Sequence, residues 1–256
     1  MMKLFNWLNC KLILFLPKTI TIDGIKFYFN RSDRFVALLF WKYGLLEKRE
    51  LQLLLRFLND DSILIDIGAN MGIFTFKACK KLVSGKIISF EPDKSHFNCL
   101  KETVNNNNIN NVQLQNQAVT DRSGTMWFNN RSMNGGDFRV NSAQKGVEVE
   151  TVSLDEFLGP GFKADIIKMD IQGAELLALK GMENLLMSNT DILIFCEFWP
   201  KGMRLLNIDT EEFISFIESL KFNIYLIDKT LKPITIDQFK NIESGSNFIL
   251  TWKRLT

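Results

Sequence analysis

The chain is poor in the residues that build metal and nucleophile sites. It has one histidine, His96, and its four cysteines (Cys10, Cys79, Cys99 and Cys196) include no Cys-x-x-Cys pair. This excludes a zinc site at the usual ligand spacings, gives no disulfide framework, and favours a reducing compartment. Cys79 and Cys196 lie in apolar patterns and read as small core residues. No serine or cysteine nucleophile motif accompanies His96, so it is expected on a helix surface rather than in catalysis. The sequence also lacks Gly-x-Gly-x-x-Gly and Gly-Lys-Ser/Thr, which removes the pyrophosphate-binding dinucleotide turn and the P-loop. Charge of one sign is not in excess: 31 basic and 29 acidic residues leave +2, with no concentrated basic face to mark a nucleic-acid partner. Lys77, Lys80, Lys81 and Lys86 read as a solvated helix face and its exit loop.

Long apolar runs are scarce at the N-terminus as well. Leu12 to Leu16 is far short of the roughly 20 residues of a membrane span. Asn9 and Lys11 interrupt the segment and no small-residue cleavage site follows, so a signal peptide is not expected. Two readings stay open for residues 1–17: a packing helix, or a weak peripheral contact with a membrane surface. The localisation that follows is cytoplasmic, with or without attachment at the inner membrane face. Nothing in the sequence marks an oligomeric state.

With 256 residues, 46% of them hydrophobic, the chain can build one large α/β domain and a modest extension. Residues 1–60 read as that extension. In it Thr19 to Phe29 alternates about Asp23-Gly24, the dipeptide of a two-residue hairpin, and Arg34 to Leu58 has helical period. Residues 61–256 read as the domain. Its strands are expected at 62–67, 86–91, 112–117, 125–129, 147–152, 165–170, 191–198, 222–228 and 247–253. Its helices are expected near 73–83, 94–105, 154–158, 173–187 and 209–220. The continuous apolar runs near 165–170 and 191–196 fit central parallel strands covered on both faces. The last two strands follow one another without a long helix, which suggests an antiparallel edge. Asn105 to Asn111 reads either as a helix end with a turn or as a polar recognition loop.

The chemistry concentrates where strands end. The apolar strand around Ile63–Ile67 carries Asp66 and runs into the turn Gly68-Ala69-Asn70-Met71-Gly72, and the next strand ends in Glu91, about 20 residues further on. A carboxylate at that tip suits a ribose diol. The acid before the turn and the asparagine within it suit an amino-acid end better than a phosphate, which favours S-adenosylmethionine over a dinucleotide. Asp170 and Glu197 end two further strands, so three strand-end acids are expected to face one crevice.

Asp66-Ile-Gly-Ala-Asn-Met-Gly72, Phe90-Glu-Pro92, Ala118-Val-Thr-Asp121 with Gly124, Ile167-Lys-Met-Asp-Ile-Gln-Gly-Ala-Glu175, Leu179-Lys-Gly181 and Glu197 recur in order. In these the chain, from about Trp41 to Phe248, resembles the FkbM family of S-adenosylmethionine-dependent methyltransferases. The resemblance implies a Rossmann-like class I methyltransferase fold: a seven-stranded, mostly parallel sheet with an antiparallel edge strand, here with an N-terminal hairpin and helix extension. It implies O-methylation of a hydroxyl on a sugar, glycan or related small-molecule acceptor. By resemblance Gly68, Asn70 and Gly72, with Asp66 and Ala69, line the methionine end of the donor, Glu91 and Pro92 the ribose, and Gln117 and Ala118 the adenine. The family commonly has Glu where this chain has Gln172 and His where it has Trp199; the tryptophan is expected to offer a flat apolar wall.

For the reaction, Asp170 is the first candidate for general base and Glu197 the second, with Lys168 and Glu175 as orienting groups. Lys168 reads equally well as an ion-paired strand residue, and Glu175 as a helix N-terminal charge. A divalent metal on Asp170, Glu175 and Glu197 is a secondary reading. The acceptor pocket is expected around Trp127, Phe128 and Met133 to Asp137, with Gly135-Gly136 either a lid hinge or an ordinary turn. Two other functions compete: a nicotinamide-dependent oxidoreductase, disfavoured by the missing glycine fingerprint, and a non-catalytic donor-binding or scaffold protein of the same fold.

Overall fold

The structure is a computed structural model and describes residues 18–30, 48–130, 138–140 and 146–255. The expected N-terminal helix, residues 31–47 and the Met133 to Asp137 segment lie outside them.

Strands β1 (Thr19–Ile22) and β2 (Ile25–Tyr28) form the expected hairpin, with Asp23 and Gly24 both at positive φ (50° and 80°), as the favoured two-residue turn requires. Helix α1 (Lys48–Phe57) follows, and β3 (Ile63–Ile67), α2 (Ile73–Cys79), β4 (Lys86–Phe90), α3 (Lys94–Asn106) and β5 (Val112–Gln115) come next. Strands β6 (Ala118–Val119), β7 (Gly124–Asn130), β8 (Phe138–Val140) and β9 (Val147–Val152) build a separate four-stranded sheet in the order β6-β9-β7-β8. The chain then returns through α4 (Leu154–Leu158), β10 (Ile166–Met169), α5 (Glu175–Lys180), α6 (Glu183–Ser188) and β11 (Leu193–Phe198). It ends with α7 (Pro200–Leu205), α8 (Thr210–Leu220), β12 (Asn223–Ile227), β13 (Leu231–Ile234), α9 (Ile236–Lys240) and β14 (Ser246–Thr251).

The main sheet runs β13-β12-β14-β11-β10-β3-β4-β5. Strands β5, β4, β3, β10 and β11 are mutually parallel, β14 is antiparallel to β11 and to β12, and β13 is antiparallel to β12. This is the α/β, Rossmann-like class I arrangement, with eight strands rather than seven. The added strand, β13, contains Pro233, which sheets accept at an edge because no ladder donor is needed there. The antiparallel β14 lies inside the sheet between β11 and β12.

Strand alternation sorts the core into two layers. Ile65, Ile67, Ile167, Met169 and Ile194 face α5, α6 and α8 on one side. Leu64, Ile87, Ile166 and Phe195 face α1, α2 and the hairpin on the other. Residues 61–256 therefore share a core with the described part of residues 1–60: Ile25, Phe27, Leu53, Leu54 and Leu58 are buried in the second layer. Lys77 pairs with the Asp23 carboxylate, Lys80 with the Asp23 carbonyl and Lys81 with the Leu55 carbonyl, so these lysines dock the extension instead of forming a purely solvated face. In the asparagine run, Asn107 donates to the Lys26 carbonyl and accepts from the Lys26 amide, capping an edge of β2. The run is a helix end and turn.

The helix expected over 173–187 is broken into α5 and α6 at Gly181. A Cβ there would stand 1.9 Å from the Thr120 carbonyl oxygen, and the Gly181 carbonyl accepts from the Asp155 amide and the Ser153 hydroxyl. Docking onto the small sheet overrides helical period at this point. Cys79 and Cys196 are buried as expected, and burial pushes the Cys79 thiol up to about 11.

Phe27 is fully buried and meets Phe76 of α2 edge-on, with ring centroids 5.4 Å apart at 84°. Phe27→Ala is expected to destabilise the protein by about 3–5 kcal/mol. Urea unfolding followed by circular dichroism should still give a single transition at a lower midpoint. A second, separate transition would mean that the hairpin is not part of the cooperative core.

Candidate active site

Register places the sequence's strand-end acids in one row. Ser89, Asp66, Lys168 and Phe195 are successive lateral neighbours across β4, β3, β10 and β11. Just beyond the last paired residues of β4, β3 and β10, at the carboxyl edge, come Glu91, Gly68 and Asp170, and Glu197 of β11 stands opposite Asn247 of β14. In an open α/β sheet this edge, where strand exits diverge, is where ligands bind.

The lower tier is a buried polar cluster. The Thr75 hydroxyl donates to Asp66 at 2.5 Å and shares a 2.8 Å hydrogen bond with Ser89, tying α2 to β3 and β4. Asp66 is 1% exposed, and its Oδ1 has no hydrogen-bond partner among the described residues. Burial pushes its carboxyl up, opposed by Lys168 beside it. Lys168 is itself buried, with Nζ 3.8 Å from Asp170 and 4.8 Å from the centre of the Phe74 ring. Asp66 and Lys168 therefore lie beneath the strand-exit loops. Thr75 and Ser89 were not singled out from the sequence, where an isolated hydroxyl in an apolar run carries no signal of its own.

Above them the turn after β3 wraps the tip of β4. The Gly68 and Ala69 amides both donate to the Phe90 carbonyl at 3.0 Å, and the Asn70 amide donates to Glu91 Oε2 at 2.7 Å. Glu91 Oε1 accepts from the Asp93 amide at 2.8 Å. Each Glu91 oxygen thus uses one lone pair on backbone and keeps capacity for one more donor. Burial pushes this carboxyl up, against the pull of His96 and the two amides. Asn70 sits at φ 49°, and its side-chain Oδ1 is buried with no partner among the described residues. Pro92 is half-buried beside Glu91. Gln117 is half-buried and Ala118 buried where β5 passes into β6. Asn116, also not singled out from the sequence, donates to the Glu91 and Pro92 carbonyls at 2.9 and 3.1 Å and binds this exit to that of β4. Gly72 begins α2, its amide bonded to the Ala69 carbonyl.

His96 departs from expectation. It is 8% exposed, not a surface residue, with Nδ1 3.2 Å from the Asp93 carboxylate. Burial acts to raise the Asp93 carboxyl, but the side-chain and backbone hydrogen bonds of His96 outweigh it and hold Asp93 below the usual range. The helix-cap aspartate draws the imidazole inward.

The β10 exit is strained and tightly held. Gln172 has φ 58° and Gly173 φ 106°, and Glu175 Oε1 accepts from the Ile171 and Gly173 amides at 3.1 and 3.2 Å. Glu175 is fully buried beneath this turn, which makes it a support for the loop. The Gln172 amide nitrogen lies 2.8 Å from Asp170 Oδ1 and 3.4 Å from Glu197 Oε2, joining two carboxylates through one neutral donor. Trp199 is half-buried: a Cβ on Gly202 would stand 2.3 Å from its ring, and Gly245 also packs against it. Among the described residues no group of three or more His, Cys, Asp or Glu has the geometry to hold a metal ion, and no helix is long and apolar enough to cross a membrane.

Burial raises the Glu175 carboxyl from 4.5 to about 7, and its Oε2 is buried without a hydrogen-bond partner among the described residues. The folded protein then holds this proton more tightly than the unfolded chain. Between about pH 4.5 and 7 stability falls as pH rises, by up to about 3 kcal/mol from this group. Glu175→Gln keeps an acceptor for the two amides and should remove that share of the slope. Urea midpoints measured from pH 4.5 to 8 check this; an unchanged slope would show that Glu175 is ionised throughout.

A sequence model described as the methyltransferase FkbM domain matches residues 66–225. The hexuronic acid methyltransferase AglP of Haloferax volcanii is 27% identical over 150 residues, covering 58% of this chain and 61% of that protein. Methyltransferase 1 of Beauveria bassiana is 24% identical over 149 residues, covering 49% of this chain and 60% of that protein. The chain thus spans about 60% of the length of these relatives. The crystal structure of a precorrin-6y C5,15-methyltransferase from Geobacter metallireducens overlays with a TM-score of 0.47 at 14% identity, covering 83% of this chain and 92% of that one. The family model takes in the β3 turn, the Glu91 tip, the β10 exit and Glu197, and on that match the chain belongs to the FkbM methyltransferase family.

Proposed function

We propose that this protein is an S-adenosylmethionine-dependent O-methyltransferase acting on a hydroxyl of a sugar, glycan or related small molecule. The observation that carries the reading is the placement of Glu91, Gly68, Asp170 and Glu197 at the carboxyl ends of four adjacent strands. The residues fit the donor. Glu91 retains one accepting position on each oxygen for a ribose diol, and the unpartnered Asn70 Oδ1 awaits a donor such as an ammonium or hydroxyl. At Gly68 a Cβ would lie 2.3 Å from the Asp170 carbonyl oxygen, so the exit loops of β3 and β10 meet as bare backbone. Pro92, Gln117 and Ala118 continue the surface toward an adenine, and Asp66 supports the turn from below.

When bound, the donor supplies an electrophilic methyl group on a sulfonium. The chain's own task is to align an acceptor hydroxyl and remove its proton. Glu197 is assigned as the base, because it lines the cavity at the ends of β11, β12 and β14, and Asp170 does not. This reverses the order favoured by the sequence. Gln172 and Lys168 orient the pair, and Glu175 holds their loop. The acceptor class draws support from AglP, whose name states a hexuronic acid substrate.

Glu91→Ala should weaken S-adenosylhomocysteine binding by about 10-fold or more, measured by calorimetry, through loss of hydrogen bonds to a charged acceptor. Glu197→Gln should leave that affinity within a few-fold and lower methyl transfer by about 100-fold or more, measured with labelled donor and cell-envelope glycan fractions. Unchanged binding by Glu91→Ala would remove the donor assignment, and near-normal transfer by Glu197→Gln would remove the base.

A further inference from the structure

Another cavity, of about 320 Å³, opens where the end of α8, the amino end of β12 and the end of β13 meet. Strand register puts it at the sheet edge opposite the candidate active site. Ile227 and Glu197 both oppose Asn247 at the carboxyl edge, whereas Asn223 opposes Thr251 at the other end of the ladder. The volume falls within the range of roughly 300–1,000 Å³ typical of small-molecule sites. The floor is apolar: Ile217, Phe222 and Ile224 are 1%, 9% and 4% exposed. Ile234, the register partner of Ile224, and Ile236 of α9 add half-buried apolar walls.

The charged groups of the lining stand where α8 ends. Glu218 is one of them, and Lys240 pairs with it at 3.2 Å. Lys221 is the other; it is exposed, and its ammonium has no ion-pair partner among the described residues. The cavity therefore has an apolar floor and one uncompensated positive charge at its rim. Lys221 closes α8 in the left-handed conformation, φ 55°, where glycine is the usual residue, so the turn itself does not call for a lysine. A cationic ligand would be repelled at this rim, and a wholly apolar one would leave the charge unused.

We propose that this cavity binds a small amphipathic carboxylate, with its apolar chain on Ile217, Phe222, Ile224 and Ile234 and its carboxylate at Lys221. The site goes beyond methyl transfer and does not depend on it. Burial of the chain supplies most of the affinity, about 4-fold for each methylene enclosed. One exposed ion pair adds at most about 5-fold. Chain length therefore reads the apolar floor, and charge at fixed length reads Lys221.

The test uses the full chain with hexanoate, octanoate and octylammonium as probes. Titrations followed by backbone amide NMR give both affinity and place. Shifts should centre on residues 221–225 and 233–236, with the Gly68 and Glu91 amides unmoved. Octanoate should bind about 10-fold more tightly than hexanoate and about 5-fold more tightly than octylammonium, and the second preference should shrink in high salt. Lys221→Gly suits the left-handed backbone and should fold normally; it should abolish the preference for octanoate over octylammonium while keeping that for octanoate over hexanoate. Ile234→Trp should fill the cavity and remove binding of all three. Shifts centred elsewhere, octylammonium bound as tightly as octanoate, an unchanged charge preference in Lys221→Gly, undiminished binding in Ile234→Trp, or no binding of any probe would overturn the proposal. Sedimentation on the same samples identifies a different occupant. Self-association abolished by Ile234→Trp, with no octanoate bound, would give the cavity to a second copy of the chain and overturn the carboxylate site.

Discussion

Backbone contact at glycines interlocks the three strand exits on which the site is built. At Gly68 the exit of β3 lies against the Asp170 carbonyl, at Gly173 the exit of β10 lies against Gly202 and Met203, and Gly202 lies against Trp199 at the exit of β11. A Cβ at these points would come within 2.3 to 2.4 Å of its neighbour, so a side chain there would push the exits apart. The β3 and β10 exits are therefore spaced by backbone contact, and the segment after β11 is held through the Trp199 ring. For a reaction that depends on aligning donor and acceptor, such rigidity supplies the alignment before a ligand arrives.

Crowding carboxylates at one edge carries an electrostatic cost, and the fold meets it differently at each position. Glu175, fully enclosed, is held in its protonated form up to about neutral pH by burial. Asp66 is hydrogen-bonded by Thr75 and faces Lys168. Glu91 is held by two amides. Asp170 and Glu197 share the amide of Gln172, a neutral donor where a glutamate would add a third negative charge. The strain of Gln172 at φ 58° is the conformational cost of aiming that amide.

Much of this was legible because the signals are local and periodic. Continuous apolar runs at Ile63–Ile67, Ile166–Met169 and Leu193–Phe198 marked central strands, and the acids that follow them marked the carboxyl edge. What stayed hidden depends on contacts remote in sequence. The edge strand β13 carries a proline that argues against a strand until its place at the sheet margin is known. The break at Gly181 comes from Thr120, and the packing on the Trp199 ring comes in part from Gly245. Glu175 reads as a helix-start acid in sequence, yet its carboxylate turns back to hold Ile171 and Gly173.

The N-terminal hairpin bears on the candidate donor turn through a single aromatic link. Phe27 packs edge-on against Phe76, and the Phe76 ring lies where a Cβ on Gly72 would come within 2.4 Å of it. Gly72 ends the turn that holds Glu91 and begins α2, while Lys77 and Lys80 of that helix and its end clasp Asp23 from the hairpin side. The hairpin, α2 and the turn therefore form one packed column. A displacement of the hairpin would shift Phe76 against bare backbone at Gly72, since close-packed interiors transmit volume changes instead of absorbing them. The described part of the extension is thus better understood as a buttress for the β3 turn than as an appendage to a finished domain.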